Sequence, residues 1–315
     1  EYFGISTLTV GIFRSWFGMY DVESALKLSS YLIMLVFLIL VFEKMYRKGA
    51  KYNNDGGKSN LRRIIIGNKK QYFIIIFCLT PFIFGFLIPV IRLFTWMLTS
   101  HVNIYELNLI KTVFNTFYIS IISSFTIVFL AYFINFSKNY FNNDACKKIS
   151  QLAILGYSMP GAIIAIGILK FGSAINDLVS IVFIGSIFGL IFSYIVRFFA
   201  VAWQPIDSSM EKFCKNVNQA SRTLNVKPLK LMKNINFPIL SKPIMIAGLI
   251  VFIDISKELP LTLIIRPFNF DTLATLTYDL VNQAQFFQSA IPSLLIILIS
   301  IPAILIIKTQ MDKSI

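Results

Sequence analysis

The chain has 315 residues, of which 56% are apolar and 14% charged, with 31 Phe. A soluble globular domain carries roughly 25% charged residues, so this usage excludes one and points to a membrane protein. Lys and Arg outnumber Asp and Glu by 29 to 15. The cations gather in short loops beside apolar runs, with no basic patch interleaved with base-stacking rings, so their excess marks sidedness in a bilayer and excludes a nucleic-acid surface.

Residues 1–24 are rich in rings (Phe3, Phe13, Trp16, Phe17, Tyr20) that suit a membrane interface. The first span is predicted over Ala25 to Phe42. A basic, Gly-containing linker follows from Glu43 to Gln71, centred on Asn53-Asn54-Asp55-Gly56-Gly57, and its Lys/Arg excess places it in the cytoplasm. Further spans are predicted at Tyr72 to Leu98, Ile110 to Phe136, Gln151 to Leu169, Val179 to Trp203, Pro243 to Ser256 and Ser289 to Lys308. Pro81 and Pro89 should kink the second, which a membrane helix tolerates. Thr99 to Leu109 and Ser173 to Leu178 read as outer turns, and Arg197 as a snorkelling residue near the inner end of its span. Every Lys/Arg-rich loop then falls on one side, which fits an all-α polytopic membrane protein of about seven spans.

One histidine, His101, leaves no His-based metal centre or triad within the sequence. Cys78, Cys146 and Cys214 are too scattered for a disulfide framework or a metal site. No glycine loop of the GxxxxGK[ST] kind is present.

The ends repeat. Laying residue 3 on residue 268 matches Phe3, Thr7 and Leu8 with Phe268, Thr272 and Leu273, then Ala25 with Ala290, Ile39 and Leu40 with Ile304 and Leu305, and Lys48 with Lys313. Each copy reads aromatic outer segment, span, basic tail. The chain is therefore expected to begin inside a longer protein. Residues 1–43 would be the outer segment and last span of a first half, 44–71 a cytoplasmic linker, and 72–315 a second half of six spans.

Two stretches carry chemistry. The loop 204–242 is polar and basic between strongly apolar flanks. In it Gln219, Ala220, Ser221, Arg222 and Leu224 read as a short helix, and Asn225 suits a left-handed C-terminus. Pro228 would open a second helix that stops before Pro238, with Ser241 capping the next span. The other stretch puts Asp254, Lys257, Glu258 and Arg266 around Leu259-Pro260, between two apolar runs each too short to cross about 30 Å of hydrocarbon at about 1.5 Å per residue. A broken helix is expected there, lining a cavity. Its charges read either as an intraprotein ion network or as substrate contacts, since charge at membrane depth is retained for a reason.

The spacing of Gln219-Ala220-Ser221, Asn225, Ile235, Phe237 and Pro238 resembles the cytoplasmic "EAA" loop of bacterial ABC-importer permeases. Here Gln219 stands for the family's Glu, Ser221 for its second Ala and Asn225 for its Gly. The resemblance implies that Gln219, Ala220, Ser221, Arg222, Leu224, Asn225, Pro228, Ile235 and Pro238 form a coupling loop that docks on the ATP-hydrolysing partner. More narrowly, Lys257-Glu258-Leu259-Pro260 leading to Arg266-Pro267-Phe268-Asn269-Phe270-Asp271-Thr272-Leu273 resembles the second half of ferric-iron ABC-importer permeases, and Tyr2-Phe3-Gly4 through Trp16-Phe17-Gly18 the end of their first half. What this implies is a non-enzymatic permease of a type I importer in the bacterial inner membrane. It would receive iron(III) from a periplasmic binding protein, bind no cofactor or metal of its own, and leave ATP and Mg to a pair of partner ATPase subunits. Permeases for thiamine, polyamine or sulfate share that architecture. A membrane-embedded enzyme would need more catalytic groups than the cluster at residues 254–266 offers, and a channel would not explain the loop.

Overall fold

The structure, a computed structural model, describes residues 7–47, 67–100, 108–141, 155–179 and 183–312. Among these residues there is no strand. Helix α1 (Leu8–Phe13) passes into a π turn (Arg14–Gly18), and α2 (Val22–Arg47) follows. Helices α3 (Asn68–Phe82) and α4 (Ile88–Thr99) join through a π turn (Ile83–Leu87), so Pro81 and Pro89 bracket one irregular stretch inside a single long helix. Then come α5 (Leu109–Phe141), a 3-10 turn (Leu155–Ser158), α6 (Gly161–Val179), and α7 (Ile187–Ser209) with its π turn (Met210–Cys214). The chain continues through α8 (Lys215–Thr223), α9 (Pro228–Leu231), a π turn (Met232–Asn236), α10 (Phe237–Ser256), α11 (Pro260–Ile265), α12 (Leu273–Asn282) and α13 (Phe286–Asp312).

Among the described residues six helical stretches are long and apolar enough to cross a membrane: Val22–Ile39, Lys70–Thr99, Leu109–Phe141, Ile187–Cys214, Pro228–Ser256 and Phe286–Asp312. Gly161–Ile175 is a shorter apolar helix. The chain is thus an all-α, multi-pass membrane protein. Helices α5, α7 and α10 pack on one another and form its centre. Their contact buries Ile127, Tyr194, Trp203, Ile206, Leu240 and Val251. Along α5 the buried face carries Thr112, Thr116, Ser120, Ser123 and Ser124, small residues that let helix backbones approach where lipid removes the hydrophobic incentive to pack. Helix α3–α4 has no fully buried residue between Lys70 and Thr99, although its α4 part packs on α13, with Trp96 against Phe287 at 5.9 Å.

Several boundaries differ from the sequence reading. The outer turn expected at Ser173 to Leu178 is helix, because α6 continues to Val179. The chain reverses instead at Gly185, whose φ of 72° only glycine adopts freely, and Ser186 caps α7 by accepting from the Gly189 N–H at 3.0 Å. The corner expected before Pro238 is also absent: Asn236 and Phe237 are both right-handed, and α9, the π turn and α10 run on as one stretch, Pro228–Ser256. The fifth long stretch is therefore not too short to span. Pro238 sits where α10 begins after the π turn, so its missing N–H breaks no regular ladder. Tyr132 on α5 clamps this irregular turn by donating to the Met232 carbonyl at 2.7 Å. Ser241 is no cap; inside α10 it donates to the Pro238 carbonyl at 2.9 Å.

The terminal repeat has a structural counterpart. Thr7 caps α1, accepting from Val10, and Thr272 caps α12, accepting from Thr275. Each short helix ends at a left-handed residue, Tyr20 (φ 53°) and Ala284 (φ 59°), before a long apolar helix begins. The first copy is one residue longer between cap and turn, and the extra residue is taken up in the π turn Arg14–Gly18, so the gapless match of the sequence slips by one beyond it. Its Phe3 and Lys48 lie outside the described residues, as do residues 48–66 of the linker.

Candidate functional site

The two stretches singled out above lie at opposite ends of the long stretch Pro228–Ser256, which runs from a corner after α8 to the break. At the corner, α8 stops in a left-handed cap. Asn225 has φ of 51°, its N–H donates to Arg222, and the Val226 N–H reaches back to Ser221 at 3.0 Å. That paired closure satisfies the last carbonyls of the helix and turns the chain sharply. The corner is anchored from below: Ser221 is buried and donates to Asn218, and the buried Asn236 amide donates to the Asn218 side chain at 2.9 Å. Arg222 lies over the Tyr140 ring at 5.0 Å, tying the corner to α5. Beside it Lys138 bridges Asp207 at 2.8 Å and Glu211 at 3.4 Å.

Among the polar and basic residues outside, two large apolar side chains stand exposed. Leu224 is 75% exposed and Leu229, on the next helix, 70% exposed, with Ala220 exposed between polar neighbours. Gln219, Arg222, Asn225 and Ile235 are also exposed, Pro228 is half-buried, and Pro238 is exposed at the start of α10. Two large apolar side chains are thus held out by a hydrogen-bonded corner, an exposed knob of the kind that protein interfaces use. Sequence reading missed Leu229 as part of that knob and Asn218 and Asn236 as its buried anchor; helical periodicity from Pro228 would have found Leu229.

At the far end, α10 ends at Ser256, and the backbone breaks through Lys257, Glu258 and Leu259 before Pro260 opens α11. The break falls where it was expected, and so does the i, i+3 pair of Asp254 with Lys257; the partner of Glu258 was not foreseen. Lys257 pairs with Asp254 at 2.9 Å, exposed at the lysine end. Glu258 turns away from Lys257 into the protein, 7% exposed, with Oε2 at 3.3 Å from Nε of Arg197 and Oε1 accepting the Leu261 N–H at 3.2 Å. Arg197 is therefore no snorkelling residue: mid-way along α7, it is the counter-charge of the break. Its Nε and Nη1 have no hydrogen-bond partner among the described residues, so the pair is held chiefly by charge and by the Phe198 ring at 5.4 Å. A Cβ added at Gly161 would collide with both the Arg197 guanidinium and the Glu258 carboxylate, which explains the glycine that opens α6. Beside them Tyr194 and Thr262 share a buried hydrogen bond of 2.6 Å, and the Thr262 hydroxyl also donates to the Glu258 carbonyl.

Arg266 belongs to a different network. It pairs with Asp271 and, at 3.3 Å, with Asp279, so the residues from Arg266 to Thr272 are strapped onto α12. Asn115 on α5 donates to the Asp271 carbonyl and the Thr116 hydroxyl accepts from Leu273, which seats α12 on the central helices. Among the described residues no group of three or more His, Cys, Asp or Glu could hold a metal ion.

Two cavities flank the break. One of about 630 Å³ opens between α7 and α10 towards the coupling corner and is lined by Tyr157, Gln204, Ser208 and Asp254. The other, of about 800 Å³, lies beyond Leu259-Pro260 between the terminal repeats.

No family model matches the chain. Over 310 residues, 96% of its length, it is 24% identical to the Fe(3+)-transport system permease protein FbpB 2 of Haemophilus influenzae, and it spans 60% of that relative. Among solved structures it is similar to a bacterial ABC transporter involved in the import of the acidic polysaccharide alginate. There the TM-score is 0.57 at 16% identity, covering 78% of this chain and 95% of that one. The alginate transporter in complex with alginate pentasaccharide-bound periplasmic protein gives a TM-score of 0.54 at 17% identity, over 76% and 93% of the two chains. The chain has the fold of an ABC-importer permease and resembles a ferric-iron permease over nearly its whole length.

Proposed function

We propose that this chain is permease sequence of an ABC importer in the bacterial inner membrane, moving iron(III) from a periplasmic binding protein to the cytoplasm. The observation that carries the reading is the rigid, exposed corner at Ala220–Leu224 and Leu229, joined by the unbroken stretch Pro228–Ser256 to the break at Glu258. A force applied at the corner reaches the break through one helical rod. Closure of two ATPase subunits on the corner would tilt α10, and the break would move against α7 and open one cavity while closing the other. The chain's own residues then catalyse no covalent step, and ATP and Mg stay on the partner. Substrate identity rests on the likeness to the ferric-iron permease. The test is reconstitution of the intact permease with its ATPase and binding protein in proteoliposomes. ATP-dependent uptake of radioactive iron from the loaded binding protein is expected. Uptake that proceeds equally without ATP refutes the importer, and ATP-driven uptake of sulfate, thiamine or polyamine instead refutes iron.

A further inference from the structure

The cavity beyond the break lies between the two terminal repeats, and its walls are matched residues of the two copies. Counted from the capping threonines, Phe13 answers to Tyr278, and both line it. Past the extra residue of the π turn, Gly18 answers to Asn282, and both line it as well. The cavity is thus walled by corresponding positions of the two copies, with Leu259 and Pro260 of the break beside them.

The symmetry is broken in charge. Arg14 lines the cavity, and its counterpart by the same count is Asp279, which is turned to Arg266 at 3.3 Å. Arg14 itself has no carboxylate partner among the described residues, and it is the one charged residue among those lining the cavity. Tyr278 and Asn282, on the same lining, carry a phenol and an amide that can donate hydrogen bonds. A free guanidinium with two neutral donors is a receptor for an oxyanion, and it opposes a bare multivalent cation.

We infer that this cavity is a binding site for an oxyanion, a carboxylate or phosphate held by Arg14, Tyr278 and Asn282, and that the cargo crosses clothed in such an anion. The second clause rests on the iron reading above. An iron(III) ion stripped of anions would meet a positive wall here, whereas an iron–carboxylate or iron–phosphate complex would meet a complementary one. The first clause stands on the cavity alone.

The intact permease would be assembled with its ATPase in lipid nanodiscs and titrated with citrate and with orthophosphate, each with and without iron(III), and binding followed by isothermal titration calorimetry. Saturable binding of at least one anion is expected. Arg14→Gln should weaken it about tenfold or more, and Arg14→Lys should keep most of it. Ferric citrate and ferric phosphate, compared in the same titration, tell a carboxylate from a phosphate source. Equal affinity in wild type and Arg14→Gln, or no binding by wild type, overturns the site. Doubly labelled uptake into proteoliposomes separates the two clauses. Iron entering with a labelled anion supports both. Iron entering without either anion overturns the clothed cargo. Wild type that binds an anion but moves no iron with ATP overturns only the iron reading.

Discussion

Neutralising one member of the Arg197–Glu258 pair should be far more damaging than neutralising both. Glu258 is 7% exposed, and besides Arg197 it has only the Leu261 N–H at 3.2 Å. Arg197→Met would leave that carboxylate buried with no counter-charge, which costs about 3–5 kcal/mol. Glu258→Gln would leave a guanidinium two of whose nitrogens already lack hydrogen bonds, with a loss in the same range. In Arg197→Met/Glu258→Gln both charges are gone, and Gln can still accept from Leu261. The remaining loss should be about 1 kcal/mol, so the double variant recovers roughly 2–4 kcal/mol relative to either single. Lys257→Met is the control, because the Lys257 side chain is 57% exposed and its pair with Asp254 contributes about 0–1 kcal/mol. Apparent unfolding midpoints in detergent, at one fixed heating rate, would read the effect. Each single should lower the midpoint by on the order of 10 °C, and the double by about a third of that or less. A double variant no more stable than the worse single would refute the pairing, and a large loss in Lys257→Met with none in Arg197→Met would return the counter-charge to Lys257.

Ala220→Asp places a charge on the exposed corner without touching its buried anchor; folding should be unchanged, ATPase pull-down from detergent should fall at least tenfold, and normal association would sink the corner as a docking site. Asn236→Leu removes the anchor instead and strands the Asn218 side chain, so it should cost about 1–3 kcal/mol and show as faster proteolysis at the corner; unchanged protection there would count against the anchor. With Cys78, Cys146 and Cys214 replaced, single cysteines at Asn225 and Gln283 should react with an impermeant maleimide from opposite sides of the membrane, and labelling from one side would overturn the topology. Tyr194→Phe deletes the 2.6 Å bond to Thr262, whose hydroxyl keeps its bond to the Glu258 carbonyl; about 1 kcal/mol should be lost, measured by the same thermal midpoint, and a loss above 3 kcal/mol would mean that the Tyr194 hydroxyl serves the ion pair directly.

Membrane class, all-helical build and the sites of both special stretches were legible in the sequence, because lipid leaves few options. A run of apolar residues must satisfy its backbone internally, so length and charge alone locate a span. Asn225 was readable for the same local reason: few residues take a left-handed cap, and Asn is one. Boundaries set by longer-range structure were not readable. The corner expected before Pro238 vanished because a π turn, clamped by Tyr132 from another helix, carries the helix past it. The turn expected after Ser173 moved to Gly185, since polar side chains alone do not stop a helix and a left-handed glycine does.

The same division holds for the functional residues. Sequence showed that Asp254, Lys257, Glu258 and Arg266 were expensive where they stood, but neighbours along a chain are not partners in a fold. Lys257 and Glu258 point apart from a broken helix end, so Glu258 found Arg197 on α7, and Arg266 found Asp271 and Asp279. Arg14 lay in a segment that reads as interfacial aromatics, and nothing local sets it apart. Only the tertiary structure puts it on one cavity wall with Tyr278 and Asn282. Spans follow from free energies of transfer that add residue by residue, whereas a buried pair or a shared cavity exists only once two distant segments have met.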